Sequence, residues 1–488
     1  MASLEELRAE RLKKLEALKA EGINPYPIAA DPDYSIAEMI TKFDALAKAG
    51  KEVTLVGRVR ALRGQGALVF FNFDDGSAVF QGLLKKDNTA EADFDRFQST
   101  VDIGDFVEVM GTLFTTKREE KTLEVKSWRM LAKSLRPLPS EWSGLTDVDE
   151  RFRRRYLDSL MSKEVKERFI FRSKLITAIR AFLDKADYLE VETPVLQPQA
   201  GGASAEPFVT HHQALDIDLF LRISEELYLK RMLVGGFPRV YSLSRNFRNE
   251  GIDVTHNPEF TMLEFYESYS TAAKQRALVE KMFKTLVKQL TGGSTIHYSE
   301  QVIDFSGKFK VFSYFDLLKR YALIPNPESA THDELILKAQ QLGAKVSAND
   351  SREKLMDAIY KKVVRPKLIQ PTFIVDYPKN YLPLAKLSEE NPELVDAFQL
   401  VIGGVEIVKA FSELNDPIDQ AARFAVQEAQ KAAGDSEAQS MDQDFIEALE
   451  YGMPPAGGVG IGIDRLVMLL TDTHNIREVI YFPTMRPR

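Results

Sequence analysis

The stretch RNFRNEGIDVTHNPEF, Arg245 to Phe260, sets basic, acidic and aromatic side chains close together. Within sixteen residues stand the bases Arg245, Arg248 and His256, the acids Glu250 and Glu259, and the aromatic Phe260. A strand, a loop and a returning strand would set these groups around one site. There Arg248 offers a planar fork for a phosphate or a carboxylate, His256 can touch a terminal phosphate, and Phe260 can stack on a base. A nucleotide site is one reading. A solvated charged hairpin is the other, since Asn, Gly and Pro in NEGIDVTHNP also suit an exposed turn. Taken alone, the stretch favours the nucleotide only slightly.

A second candidate lies near the C-terminus. GGVGIGIDR, residues 457–465, reads Gly-x-Gly-x-Gly ahead of a helix. It misses the G-x-G-x-x-G spacing of dinucleotide sites, and a tight strand-to-helix turn accounts for it equally well. The G-x-x-x-x-G-K-[ST] loop is absent from the sequence, which excludes ordinary P-loop phosphate binding.

The elements that must position these residues follow from hydropathy patterning. Residues 3–20 read as a helix, with Leu4, Leu7, Leu15 and Leu18 near helical spacing, stopped by Gly22, Pro25 and Pro27. From Val53 to Leu131 the pattern changes to five short alternating strands, VTLVGRVRAL, ALVFFNF, AVFQGLL, DFVEVMGTLF and TLEVKSWRML. Five such strands predict a small barrel, with an OB-fold the leading candidate. Prolines and charge mark an interdomain connection around residues 136–158, where Arg151, Arg153, Arg154 and Arg155 form the densest basic cluster. A strong helix is predicted over 163–187 from the stepping of Val165, Phe169, Ile176, Ile179 and Leu183, and the strand LEVETPVL follows. The remainder mixes helices with strands such as RVYSLSRNFR, TFIVDYP and FQLVIGGVEIV, and reads as one α+β domain on an antiparallel sheet. Residues 319–362 read as a charged helical surface insertion and 416–450 as a polar helical hairpin. The expected organisation is a helical extension over 1–50, the barrel over 51–135, a linker over 136–160 and the large domain over 161–488.

Composition narrows the classes without choosing among them. Hydrophobic content of 44% and charged content of 28% describe an ordinary globular chain. No apolar run reaches the roughly 18 residues of a membrane span. Acids and bases alternate at the N-terminus where a signal peptide has its apolar core, so a cytoplasmic location is expected. With no cysteine, thiolate metal sites and disulfides are excluded. The net charge of −8 argues against indiscriminate nucleic-acid binding but leaves room for a local basic face.

The order of three motifs adds a resemblance. LEVETPVL after a long helix, FRNEG followed by HNPEF, and GIGIDRLVMLL resemble motifs 1, 2 and 3 of the class II aminoacyl-tRNA synthetases, while HIGH and KMSKS are absent. The barrel ahead of them is similar to the subgroup for lysine, aspartate and asparagine. The wording of GGASAEPFVTHHQALDIDLFLRISEELYLKRMLVGGFPRVY, EFTMLEFYESY and AFSELNDPIDQAARF resembles the lysyl-tRNA synthetase family over nearly the whole chain. The resemblance implies ATP-dependent activation of L-lysine and its transfer to tRNA-Lys by a homodimer with Mg²⁺. It implies that Arg248 holds the α-phosphate and the amino-acid carboxylate, that Glu250 reads the adenine, that His256 meets the γ-phosphate, and that Phe260 and Arg465 enclose the adenine, with Arg248 and Arg465 the catalytic pair. It also implies that Gly202 and Glu226 face the α-amino group, that Glu264, Tyr266 and Glu413 face the ε-ammonium, and that Phe411 packs along the stem. In the barrel it assigns the anticodon to Phe70, Arg63 and Gln81, although a strand aromatic such as Phe70 can equally be barrel core. Free lysine carries two ammonium groups, so a pocket with several carboxylates is the chemistry expected of it.

Four positions depart from the family. Gln399 stands where Glu is usual, seven residues before the metal-binding Glu406. Lys409 stands where Asn usually touches the substrate carboxylate, and Asn380 and Leu382 replace Glu and Ser. Losing a negative charge and gaining a positive one both act against a metal there, and the Lys409 ammonium is expected to replace part of one Mg²⁺. Harmless drift, or a Lys409 side chain turned to solvent, is an equal alternative. Rival functions are a related amino-acid substrate on the same fold, or a weakened or silent paralogue that binds tRNA or a protein.

Overall fold

Strands in which buried apolar residues alternate with less buried ones close a barrel within the first unit, Met1–Gly144. The computed structural model describes residues 3–139, 145–432 and 440–487. Helices α1 (Leu4–Ala20) and α2 (Ile36–Ala49) each begin with a Ser–Glu capping box, and Gly50 ends α2 in the left-handed conformation. The strands are β1 (Glu52–Gln65), β2 (Leu68–Asp74), β3 (Val79–Lys85), β4 (Phe106–Thr115) and β5 (Lys121–Ala132), with helix α3 (Glu91–Thr100) between β3 and β4. They close in the order β1-β2-β3-β5-β4, which is the expected five-stranded barrel. Val53, Leu55, Val69, Phe71 and Phe73 point inward, and Phe94 and Phe97 of α3 pack among them. Helix α1 differs from its predicted face. Leu15 and Leu18 are buried, but Leu4 and Leu7 are exposed and Arg11 is buried in their place. The Arg11 guanidinium donates to the carbonyls of Ile103, Ser134 and Arg136, so its charge is satisfied by backbone that needs donors.

The second unit spans Leu145–Arg488. Its arginine cluster folds into α4 (Val148–Arg153) and α5 (Arg155–Met161), where Arg151, Arg153, Arg154 and Arg155 are each ion-paired to an acid three to seven residues away. The cluster is therefore structural charge, and Arg155 is fully buried. Helix α6 (Lys163–Asp184) follows, capped by Ser162. The expected LEVETPVL strand is much shorter: only β6 (Leu189–Glu190) joins the main sheet, and β7 (Leu196–Gln197) turns away with β8 (Val209–His212) and β9 (Ile217–Leu221) into a three-stranded sheet. The ladder with β10 ends at Glu190, and Pro194, which has no N–H to donate, stands between β6 and β7.

Next come α7 (Glu226–Val234), β10 (Arg239–Phe247), β11 (Glu259–Ser268) and α8 (Ala272–Thr291). A small hairpin, β12 (Thr295–Tyr298) and β13 (Gln301–Asp304), leads to β14 (Lys310–Ser313). Helix α9 (Tyr314–Leu317) leads into the insertion, which contains α10 (His332–Gln341) and α11 (Arg352–Ile359), with single π-turns after α9 and α11. Beyond the charge read from its sequence, it buries Leu335, Leu355, Met356 and Ile359 against Ile374 and Val401 of the sheet. The chain ends with β15 (Thr372–Pro378), β16 (Leu394–Ile402), β17 (Val405–Ser412), α12 (Pro417–Ala432), α13 (Gln443–Glu450), β18 (Ala456–Gly462) and α14 (Ile463–Leu470).

The main sheet runs β14-β15-β16-β17-β18-β11-β10-β6. Its interior pairs are antiparallel as expected, and its two end pairs, β14 with β15 and β6 with β10, are parallel. Strand alternation gives this sheet two unlike faces. Leu263, Phe265, Val408, Ala410, Val459 and Ile461 face the core under α6, α8 and α14. Their neighbours in sequence, Glu264, Tyr266, Lys409, Phe411, Gly458 and Gly460, face a cavity instead.

Candidate active site

The cavity measures about 310 Å³ and opens over β11, β17 and β18. It brings together Gly202, Glu226, Arg248, Glu250, His256, Phe260, Glu264, Tyr266, Glu406, Lys409, Phe411, Glu413 and Arg465, which lie up to 263 positions apart in the sequence. Arg245 and Glu259 are not among its lining residues. They sit on the opposite strand parity from Phe260 and pair with each other at 3.5 Å.

One end of the cavity is acidic. Glu264 accepts from the Ser224 hydroxyl at 3.0 Å, from the Glu225 amide at 3.3 Å and from the Tyr266 hydroxyl at 3.2 Å. Burial, together with the charges of Glu225 and Glu226, pushes its pKa up to about 8. Burial likewise drives Tyr266 well above the usual phenol range, so it acts as a neutral donor. Glu413 is 1% exposed, and burial raises it far above the carboxylate range although Lys230 opposes the shift. Its Oε1 is buried without a hydrogen-bond partner among the described residues. A buried acceptor in that state marks a place for a donor that the protein does not itself supply.

Two glycines keep this end open. A side chain at Gly458 would collide with Glu413 and with the Tyr266 ring. Gly202 has φ +85°, and a Cβ there would sit 3.0 Å from the Ser224 hydroxyl.

The other end is basic and aromatic. The Arg248 guanidinium lies 5.0 Å over the Phe260 ring. Burial lowers its pKa, with Glu250 and Glu264 partly offsetting that, and its Nε has no partner among the described residues. Arg465 donates to His256 Nε2 at 3.1 Å. A guanidinium can only donate, so Nδ1 holds the ring proton and donates to Asp253 at 2.9 Å. Partial burial raises the Asp253 pKa, but the Thr255 amide and the His256 ring outweigh it and bring it down to about 2. In this state Phe260 faces Arg248, whereas the resemblance pairs it with Arg465 across a base.

Asp464 fixes the neighbour of Arg465. Its Oδ2 accepts from the Thr261 amide at 2.6 Å, its Oδ1 accepts from Arg172 at 2.6 Å, and Arg172 reaches the Thr261 hydroxyl at 3.0 Å. Helix α6, strand β11 and helix α14 are thereby tied at one buried point. Sequence reading missed Asp464, Ser224 and Lys230. For Lys230 a signal existed, because it stands four residues after Glu226 on a helix.

A bulge aligns the positions that depart from the family. Register runs Gln399 to Lys409, Leu400 to Val408, then Val401 to Glu406, so Ile407 is an extra residue and Glu406 shares a face with Lys409. Gln399 does not line the cavity, and its Oε1 accepts from the Tyr377 hydroxyl at 2.8 Å. Among the described residues no three His, Asp or Glu side chains are grouped to hold a metal. With Gln399 an amide engaged by Tyr377, Glu406 has no second carboxylate at that register, which does not fit a protein-built two-carboxylate Mg²⁺ site. Leu382 does line the cavity, with Tyr381 and Pro383, whereas Asn380 turns to Glu353.

In the first unit, Phe70 lies on the outer face of the barrel, since its neighbours Val69 and Phe71 are the core residues. Arg63 is paired directly with Phe70, and Gln81 with Asn72 two residues along, so all three side chains share that face. Gln81 accepts from the Thr122 hydroxyl at 2.8 Å.

A one-sided cavity on an antiparallel sheet, preceded by a five-stranded barrel, has counterparts among known proteins. Residues 147–486 match the family described as tRNA synthetases class II (D, K and N), and residues 53–131 match the OB-fold nucleic acid binding domain. The chain belongs to the class II tRNA synthetases. It is 47% identical over 483 residues to a lysine–tRNA ligase of Moorella thermoacetica, covering 99% of this chain and 98% of that protein. A lysine–tRNA ligase of Roseiflexus sp. is 47% identical over 486 residues, and one of Dehalococcoides mccartyi is 43% identical over 489, each covering 98% or more of both chains.

Proposed function

We propose that this chain is a lysine–tRNA ligase: it activates L-lysine with ATP and transfers it to the 3′ end of tRNA-Lys. The observation that carries the choice of lysine is the buried carboxylate cluster with an unpartnered Glu413 oxygen. A cavity end lined by three acids, one neutral tyrosine and the Phe411 ring suits an ammonium group. An aspartate-specific site would need basic residues at the same depth.

In this reading the lysine ε-ammonium lies among Glu264, Tyr266 and Glu413, its stem lies along Phe411, and its α-amino group lies at Glu226 beside Gly202. Arg248 and Lys409 then draw the substrate carboxylate toward the α-phosphate. A carboxylate oxygen bonds to the α-phosphorus while the bond to pyrophosphate breaks. His256 and Arg465 receive the departing phosphates, and Glu250 and Phe260 hold the base. Positioning and charge neutralisation supply most of the acceleration in such a transfer. The barrel face of Arg63, Phe70 and Gln81 suits single-stranded anticodon bases, by stacking and edge hydrogen bonds. Incorporation of radiolabelled lysine into tRNA-Lys, with no incorporation into tRNA-Asp or tRNA-Asn, tests the proposal. Equal charging of all three would refute it.

Lys409 supports a second, narrower reading: its ammonium neutralises charge that a bound Mg²⁺ would otherwise cover, leaving Mg²⁺ to enter mainly with ATP. Restoring Gln399→Glu together with Lys409→Asn should raise the Mg²⁺ dependence of lysine-dependent ATP–pyrophosphate exchange. An unchanged dependence removes the idea.

A homodimer is part of the proposal. Ile170, Leu189, Val195, Leu196, Val209 and Ile217 are exposed along α6 and the short strands that follow, and β6 leaves one edge of the main sheet open. A second copy would cover both. A cytoplasmic setting follows from the substrates; among the described residues no helix is long and apolar enough to cross a membrane.

A further inference from the structure

Lys230 lies outside the cavity lining, yet it touches two of the carboxylates that line it. It is fully buried, one turn along α7 from Glu226. Its Nζ is 2.6 Å from Glu226 Oε1 and is ion-paired with Glu413 Oε2 from beyond the end of β17. The Phe411 and Phe445 rings lie 5.5 and 5.9 Å from the same nitrogen, which closes it off from water.

Resting on the lysine–ligase reading, we propose that Lys230 is a positioning residue that sets substrate length. One fixed ammonium behind the cavity wall holds an oxygen of Glu226 and an oxygen of Glu413, and so fixes the separation of the carboxylates that meet the two ends of a diamino acid.

The physical reason is competition for one place. Glu226 and Glu413 come from different elements, and without the Lys230 ammonium the ion pairs that tie them together are lost. A substrate ammonium would then settle between them, at the position Lys230 holds. The substrate would slide toward the wall, its carboxylate would leave Arg248, and a diamino acid of another length would fit about as well. With Lys230 in place that position is filled. The remaining Glu413 oxygen, buried and unpartnered, is the one available to an incoming ammonium. Burial alone would lower the Lys230 pKa, but Glu226 and Glu413 outweigh it and keep the group charged.

The test is ATP–pyrophosphate exchange by the full-length protein with lysine and with ornithine, which is one methylene shorter. Three variants are compared: Lys230→Met, Lys230→Arg, and the charge-compensated Lys230→Met/Glu413→Gln, which leaves no unpaired buried carboxylate at Glu413 if the single change fails to fold. Lys230→Met and the double variant should raise the KM for lysine at least about 10-fold, and should narrow the lysine-over-ornithine ratio of kcat/KM by about 10-fold, within the range one methylene is worth. The KM for ATP should stay within about twofold, because the basic end is not altered. Lys230→Arg, which keeps a buried cation between the two acids, should recover most of the selectivity. A lower kcat with unchanged lysine KM and unchanged selectivity would show that Lys230 merely supports the fold, and would overturn the inference. An unmodified protein without lysine exchange would refute the ligase reading itself, a distinct result.

Discussion

At the scale of single residues the acidic end of the cavity is governed by room and by protons. The space beside Glu413 exists because residue 458 has no side chain. Gly458→Ala places a methyl group against Glu413 and the Tyr266 ring, so the KM for lysine should rise about 100-fold, a loss of about 2.7 kcal/mol of binding, while the far end still binds ATP. Exchange kinetics on a variant with an unchanged melting temperature check this. Protons give a second prediction. Glu264 has its pKa pushed up to about 8 in the empty cavity, so at pH 7 it carries a proton that an arriving ammonium would expel. Binding favours the deprotonated form, so lysine affinity should rise as pH climbs from 6 towards 8, with proton release near neutrality. Calorimetry in two buffers of different ionisation heat measures that release, and identical heats would contradict it. Little of this was legible in the sequence. Glu226 and Lys230 each pass for solvated helix charge until the fold buries both, and Arg245 looked like part of the site until strand alternation turned it away.

Among elements, the site depends on two local devices. The bulge at Ile407 moves Glu406 onto the cavity face, and no hydropathy period announces an extra residue in one strand. Asp464 joins α6, β11 and α14 through Arg172 and Thr261. Asp464→Ala would leave the Arg172 guanidinium buried without its ion pair, so stability should fall by about 3–5 kcal/mol. Urea unfolding of the variant measures the loss, and a change below about 1 kcal/mol would show the clamp to be dispensable. Elements with a clean period were legible: the five barrel strands and α6 appear where alternation and the stepping of Val165, Phe169 and Ile179 put them. Elements set by backbone chemistry were not. The LEVETPVL strand keeps only two paired residues in the main sheet, and Arg11 takes a buried place that the leucine pattern assigned elsewhere.

For the whole molecule, each unit has its own core, and the two proposed functional faces lie in separate units. Their tasks should therefore separate in kinetics. If Phe70 stacks on an anticodon base as proposed, Phe70→Ala removes about 1–3 kcal/mol of stacking per base, so it should raise the KM for tRNA-Lys and leave lysine-dependent exchange unaltered. A net charge of −8 agrees with selective rather than general nucleic-acid contact. The order of motifs along the chain made the family legible before any contact was known, whereas the specificity for lysine needed the side chains that line one cavity. That specificity is the central claim, and ATP–pyrophosphate exchange across the twenty standard amino acids tests it most directly. Exchange with lysine alone is the predicted result; exchange with aspartate or asparagine, or with none of the twenty, would contradict it.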